Sequence, residues 1–218
     1  LRKAKLYRIG RDMNVRSRDH GETFAYRGPG KCYDGLPSPL RGRHQLSNAA
    51  VAVGLAEILS QKAWDIPEGA LREGLKRADW PGRLEVLQEA PQVVLDGAHN
   101  PAGISALCRA LRDHFTYHRL LMIFGVLVDK DFRGMVRRVA VMADWLILTR
   151  PPTERALPAV EMVHMASRYC RNVTVAEDPQ RALDMALAEA KPEDLVCVAG
   201  SLYLVGQIKE TWNRRAGW

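Results

Sequence analysis

In VVLDGAHNPAG, residues 93–103, an apolar run ends in Asp96, and Gly97, His99, Asn100 and Pro101 follow. An acid, an imidazole and an amide are thus crowded where a strand gives way to a helix-like pattern. In open α/β sheets, ligands sit beyond the carboxyl ends of strands, near helix amino ends whose unpaired N–H groups favour an anion. Asp96 stands at such a strand end and can accept a hydrogen bond from a ribose hydroxyl. His99 and Asn100 can donate to phosphate or carboxylate oxygens. The same residues also read as helix punctuation, with Asn100 or Asp96 as the cap and Pro101 in the first turn. Taken singly, both readings stay open; the combination D-G-A-H-N-P is more specific than any of its members.

The elements that must position these residues follow from the pattern after residue 92. QVVLD, HRLLMIF, WLILT, NVTVA and LVCVA are short, almost wholly apolar segments. Helical patterns lie between and after them, near 102–114, 131–142, 158–169, 179–190 and 201–213. Strands apolar on both faces belong in a parallel sheet covered by helices on both sides. Strand–helix alternation with short connections predicts a doubly wound, mostly parallel, Rossmann-like α/β domain with right-handed crossovers.

Residues 1–80 read differently. The stretch from Leu6 to about Tyr33 is polar and weakly strand-like. LSNAAVAVGLAEILSQKA predicts a helix with Val51, Leu55, Ile58 and Leu59 as its apolar face, and PEGALREGLKRA predicts a second helix with Pro67 in its first turn. DWPGR then reads as a linker. The expected division is 1–80 and 81–218, with the first part the tail of an α/β domain.

The chain has 218 residues, 47% hydrophobic content and a formal net charge of +7. No apolar stretch is long enough for a membrane-spanning helix, and neither a membrane partner nor a signal peptide is expected. The basic residues are scattered with no aromatic-rich stripe, so nucleic-acid binding is not expected; the charge suits small anions. Cys32, Cys108, Cys170 and Cys197 form no C-x-x-C pair and match no zinc spacing. Cys108 and Cys197 read as small core residues, and a reducing cytoplasm is the natural compartment. His114 and His118 are four apart but lack an H-E-x-x-H pattern, which favours a solvated pair over a metal site.

LDGAHNPAG resembles the carboxyl-terminal domain of folylpolyglutamate synthase and dihydrofolate synthase, within the Mur ligase superfamily. Four further segments resemble the same family in the same order: RGRHQLSNAAVAVGLAE, WPGRLEVL, FGVLVDKD and GSLYLVG. The resemblance implies an ATP-dependent ligase that adds L-glutamate to dihydropteroate or a folate through an acyl phosphate. It implies a Mur ligase carboxyl-terminal domain preceded by the tail of a central ATPase domain, and a monomer is expected. It assigns Asn48 to the adenine, Arg83 to the nucleotide phosphates and Asp96 to the ribose. It places His99 near the transferred phosphate or the acyl phosphate. Lys130 would steady a carboxylate, although Asp129 and Asp131 beside it also allow a solvated charge cluster. Ser201 and Tyr203 would meet substrate, although Ser201 is a good cap in any protein. Arg155 matches the family pattern weakly.

The family's phosphate loop, G-x-x-x-x-G-K-[ST], does not occur in this sequence, and GPGKC near residue 30 fails in spacing and in the hydroxyl after Lys31. The Mg²⁺ ligands and pterin-binding residues are likewise expected in a preceding segment, and a first residue of Leu1 rather than Met fits the expectation of a fragment. The chain alone is therefore expected to hold one wall of an ATP site and part of a glutamate site, without turnover. The competing readings are a nucleotide- or anion-binding module without chemistry, and a Mur-type ligase acting on a peptidoglycan precursor. HQ before Asn48 and the GSLY motif favour the folate branch.

Overall fold

The computed structural model describes residues 4–38, 40–62 and 64–215; Leu1 and the side chains of Arg43 and His44 in the HQ motif lie outside the described residues. The chain divides into two compact units, Leu1–Trp80 and Pro81–Trp218.

The first unit contains an antiparallel sheet of β1 (Asn14–Arg18), β2 (Thr23–Arg27) and β3 (Cys32–Pro37), in that order. Helices α1 (Arg43–Ser60) and α2 (Glu68–Lys76) complete it. Pro67 stands just ahead of α2, as its cap residue, rather than in its first turn. The core gathers Met13, Phe24, Tyr26, Tyr33, Leu36, Ala50 and Val53. The expected face of α1 is not the buried one: Val51 is 51% and Leu55 58% exposed. The helix turns Gln45, Ala50, Val53 and Glu57 inward instead. Every position from 49 to 56 is apolar or glycine, so periodicity does not single out a face. Close approach does, because a Cβ on Gly54 would lie 2.2 Å from Met13 Sδ.

Loop 28–31, which carries the Gly-Lys pair, is filled from within. Glu57 Oε1 accepts the N–H groups of Gly30 (2.6 Å) and Lys31 (2.8 Å), and its Oε2 accepts the Tyr26 hydroxyl at 2.8 Å. Successive backbone N–H groups form an anion nest, and the chain's own carboxylate occupies this one.

The second unit is a six-stranded sheet. Its strands are β4 (Glu85–Glu89), β5 (Gln92–Leu95), β6 (Leu120–Phe124), β7 (Trp145–Leu148), β8 (Val173–Val175) and β9 (Leu195–Ala199). The order is β4-β5-β9-β6-β7-β8, parallel except for β4. Five of the six strands coincide with the apolar segments. The sixth, β4, was not expected, because LEVLQE is half polar and a bulge between Val86 and Gln88 breaks its alternation.

Helices α3 (Pro101–His114), α4 (Phe132–Met142) and α5 (Val160–Ala166) cover one face; α6 (Pro179–Glu189) and α7 (Leu202–Arg215) cover the other. The period of two sorts each strand between them: Leu120, Met122 and Phe124 of β6 face the first layer, Leu121 and Ile123 the second. Cys108, Cys170 and Cys197 are buried and unbridged. His114 ends α3 and His118 lies in the connection to β6, so the two imidazoles do not share a helix face.

At the amino edge of this sheet Arg119 clamps Asp194, which is 1% exposed. Arg119 Nη2 stands 2.5 Å from Asp194 Oδ2 and also donates to Glu189 O at 3.0 Å, while Lys191 N donates to Asp194 Oδ2 at 2.8 Å. The guanidinium beside it holds the Asp194 carboxyl below the usual range. A depressed carboxylate contributes stability above its unfolded pKa of about 3.9 and loses it as pH falls through the lower folded value. An Arg119→Met variant is therefore expected to lose less of its melting temperature than the parent between pH 5 and pH 2; parallel acid limbs in a calorimetric series would refute this.

Candidate functional site at the carboxyl edge of the sheet

Parallel strands deliver all their outgoing loops to one edge, and hydrogen bonds tie those loops together there. Asp96 follows β5, and its N–H donates to Val198 O of β9 at 2.9 Å. Its Oδ1 accepts from Ala98 N at 2.9 Å, closing the loop on itself, and its Oδ2 accepts from Leu84 N at 3.1 Å. Gly97 N donates to Gly82 O at 2.6 Å. The turn carrying Arg83 is thus bound to the DGAHN loop at two points. Partial burial raises the Asp96 pKa, and the two backbone N–H donors and the charge of Arg83 counter that rise. Arg83 itself is exposed.

His99 Nδ1 lies 2.8 Å from Gly97 O. A carbonyl only accepts, so Nδ1 carries the proton, and Nε2 is left to accept when the ring is neutral or to donate when it is cationic. Asn100 caps α3, its Oδ1 accepting from Gly103 N at 2.8 Å, with Pro101 in the first turn. Of the two readings offered for this stretch, Asn100 takes the capping one; Asp96 does not cap the helix.

On the neighbouring strand, Gly200 N donates to Ala98 O at 2.9 Å. This brings the start of α7 beside the DGAHN loop. Ser201 is buried, and its Oγ accepts from Tyr203 N at 3.2 Å in a capping contact, while Tyr203 is 50% exposed. Lys130 lies after β6, its Nζ 2.9 Å from Asp129 Oδ2; Arg155, in the loop after β7, reaches Asp129 Oδ1 at 2.8 Å. Lys130 first, and then Arg155, hold the Asp129 carboxyl below its usual range. In the sequence Asp129 is visible only as a neighbour of Lys130, yet it joins two loops. The missing signal was the partner, which lies in another crossover.

Arg83, Asp96, His99 and Ser201 therefore sit on loops bonded to one another, with Tyr203 in the first turn of α7, and Lys130 sits on the adjoining loop. Asn48 belongs to the first unit, on α1, exposed, with Nδ2 donating to Gln45 Oε1 at 2.9 Å. An acceptor carboxylate, a guanidinium and an imidazole at the amino end of a helix suit a ligand bearing both hydroxyls and anionic oxygens. Among the described residues, no group of three or more His, Cys, Asp or Glu gathers to hold a metal ion. No helix among the described residues is long and apolar enough to cross a membrane.

Comparison with known proteins gives this arrangement its context. Residues 82–202 match the family described as Mur ligase, glutamate ligase domain. The dihydrofolate synthase/folylpolyglutamate synthase of Bacillus subtilis is 33% identical over 191 residues, covering 87% of this chain and 44% of that protein. Mycobacterium tuberculosis folylpolyglutamate synthase complexed with ADP superimposes with a TM-score of 0.85 at 27% identity, covering 94% of this chain and 49% of that one. E. coli FolC in complex with DHPP and ADP superimposes with a TM-score of 0.84 at 28% identity, covering 95% and 47%. The chain spans half or less of the length of the curated relatives it matches, from 20% to 48%. With its family match over the second unit, and a sheet and helix layers like those of the folylpolyglutamate synthases, the chain belongs to the Mur ligase family.

Proposed function

We propose that this protein serves ATP-dependent ligation of L-glutamate to dihydropteroate or a folate. The observation that carries the reading is the double tie between the Arg83 turn and the Asp96 loop. It sets a phosphate-seeking guanidinium and a hydroxyl-seeking carboxylate in one rigid piece beside His99. The relatives' names and the ADP in two similar structures support it.

In this reading Asp96 accepts from the ribose with the lone pairs its two backbone donors leave free. Arg83 faces the phosphates, and Asn48 meets the adenine. His99, its ring fixed through Nδ1, presents Nε2 to the transferred phosphate. The substrate carboxylate attacks the γ-phosphate, ADP leaves, the amine of glutamate attacks the acyl phosphate, and inorganic phosphate departs. Lys130 steadies a carboxylate, and Ser201 and Tyr203 contact substrate. Preorganised positive charge of this kind acts mainly by positioning and by stabilising developing charge. Mg²⁺, implied by the resemblance, would shield the phosphates; the described residues gather no ligand set for it.

Residues 1–80 are read as the tail of a central ATP-binding domain and 81–218 as the ligase domain. The protein is read as cytoplasmic and monomeric. Because the sequence lacks a phosphate loop, the chain alone is proposed to bind without turning over.

Arg83→Ala and Asp96→Ala are each expected to lower ligase turnover about 10²–10³-fold when the chain is joined to a phosphate-loop segment. Arg83→Ala should lower the melting temperature far less than Asp96→Ala, since the side chain is exposed. Asp96→Ala should also destabilise by about 1–3 kcal/mol, because Leu84 and Ala98 N–H lose their acceptor. ADP release with MgATP, L-glutamate and dihydropteroate or a reduced folate measures the first effect, and thermal melts the second. Undiminished turnover in both variants would remove the site from the reaction.

A further inference from the structure

Glu85 is used by nothing above, yet it holds the turn that carries Arg83. Its Oε2 accepts the N–H of Gly82 at 2.7 Å, and its Oε1 takes the Lys209 ammonium at 2.7 Å. Both side chains are largely shielded, at 23% and 32% exposure. Lys209 belongs to a stripe on α7. A Cβ on Gly82 would lie 3.1 Å from Val205 Cγ1, and one on Gly97 would lie 2.5 Å from Leu202 Cδ2. Leu202, Val205 and Lys209, at spacings of three and four, share one helix face. That face carries the DGAHN loop, the Gly82 turn and the Glu85 carboxylate in succession. The turn itself has an unusual backbone, with φ of +71° at Gly82 and +47° at Leu84. A left-handed leucine persists only where its surroundings over-determine it. Here they do so through Asp96 on one side of Arg83 and Glu85 on the other.

We propose that Glu85 is a positioning residue for Arg83, locked by Lys209, so that α7 sets the angle at which the guanidinium meets an anionic ligand. The proposal rests on the reading of Arg83 as a phosphate contact. Glu85 touches no ligand; it acts through the Gly82 N–H. Glutamine at this position keeps an acceptor for Gly82, and alanine does not.

The test titrates ADP into the isotope-labelled chain and follows amide signals, which report even millimolar affinity. Glu85→Ala is expected to weaken ADP binding about tenfold and Glu85→Gln by no more than about threefold. The Gly82 amide should lose its protection from exchange in Glu85→Ala and keep it in Glu85→Gln. The double variant Arg83→Ala/Glu85→Ala should bind no more weakly than Arg83→Ala alone, since coupled residues are not additive. A merely structural Glu85 would lower the melting temperature and leave ADP affinity at low temperature untouched; that result overturns the proposal. So does full affinity in Lys209→Met combined with Glu85→Ala while Arg83→Ala binds weakly. Unchanged affinity in Arg83→Ala itself overturns the underlying reading of Arg83, and the proposal with it.

Discussion

Glu57→Ala is expected to destabilise the amino-terminal unit by about 3–5 kcal/mol, because it strands the buried Tyr26 hydroxyl and two part-buried backbone donors at once. The carboxylate is 2% exposed and takes the Tyr26 hydroxyl and the N–H groups of Gly30 and Lys31. Alanine offers none of them an acceptor. The space is also tight, for a Cβ on Gly28 would fall 2.0 Å from Glu57 Oε2. Glu57→Gln should cost less, about 1–2 kcal/mol. Its carbonyl oxygen still serves the two backbone donors, and the Tyr26 hydroxyl can turn to accept from the amide. Burial, and then the neighbouring carboxylate, push the Tyr26 phenol well above its ordinary range. Glutamine should bring it down, which an alkaline absorbance titration reads. Urea melts followed through tyrosine signals measure the stability difference; a loss below about 1 kcal/mol in Glu57→Ala would mean the nest is not held by this carboxylate.

Gly200→Ala should be equally damaging in the second unit, at about 3–5 kcal/mol. Gly200 follows the central strand β9 with φ of +108°, and an added Cβ would lie 2.5 Å from Gly125 O and 2.9 Å from the Phe124 ring. Neither neighbour is a flexible side-chain end. One is backbone at the close of β6, and the other is a fully buried ring. Gly206→Ala supplies the contrast, because nothing lies within 4 Å of its added Cβ on the exposed side of α7. That change should stabilise by about 0.5–1 kcal/mol through helix propensity. Thermal melts of the two variants should move in opposite directions. If both fall, or Gly200→Ala melts like the parent, the close approach of β9 and β6 is not what requires glycine.

What could be read from residue types, and what could not, follows from where each cause lies. Segments such as LLMIF and LVCVA are apolar on both faces because both are covered, so a local pattern reports a global environment. The α1 face was illegible because an almost uniformly apolar stretch leaves the choice to tertiary contact with Met13 and Tyr26. Strand β4 was illegible because an edge strand need bury little. At the site, Asp96, His99 and Asn100 were visible because a strand end and a helix start bring them together within a few residues. Glu85 and Lys209 stand 124 positions apart, and Asp129 meets Arg155 from another crossover. Such pairs carry no local signature, because the sheet order creates them.

That order has a consequence for how the chain is made. The strand inserted between β5 and β6, β9, is the last one in the sequence, and the edge of β5 that does not face β4 must wait for it, Gln92 for Leu195. During synthesis, β5 and β6 would each present an open edge to the surrounding medium until residue 199 has emerged. Such an intermediate would fold late, through contacts of large sequence separation, and would be vulnerable to edge-to-edge association with other nascent chains. Closing of the carboxyl edge and completion of the sheet would then be one event: the segment that ends in Gly200 and Ser201 is also the keystone of the sheet.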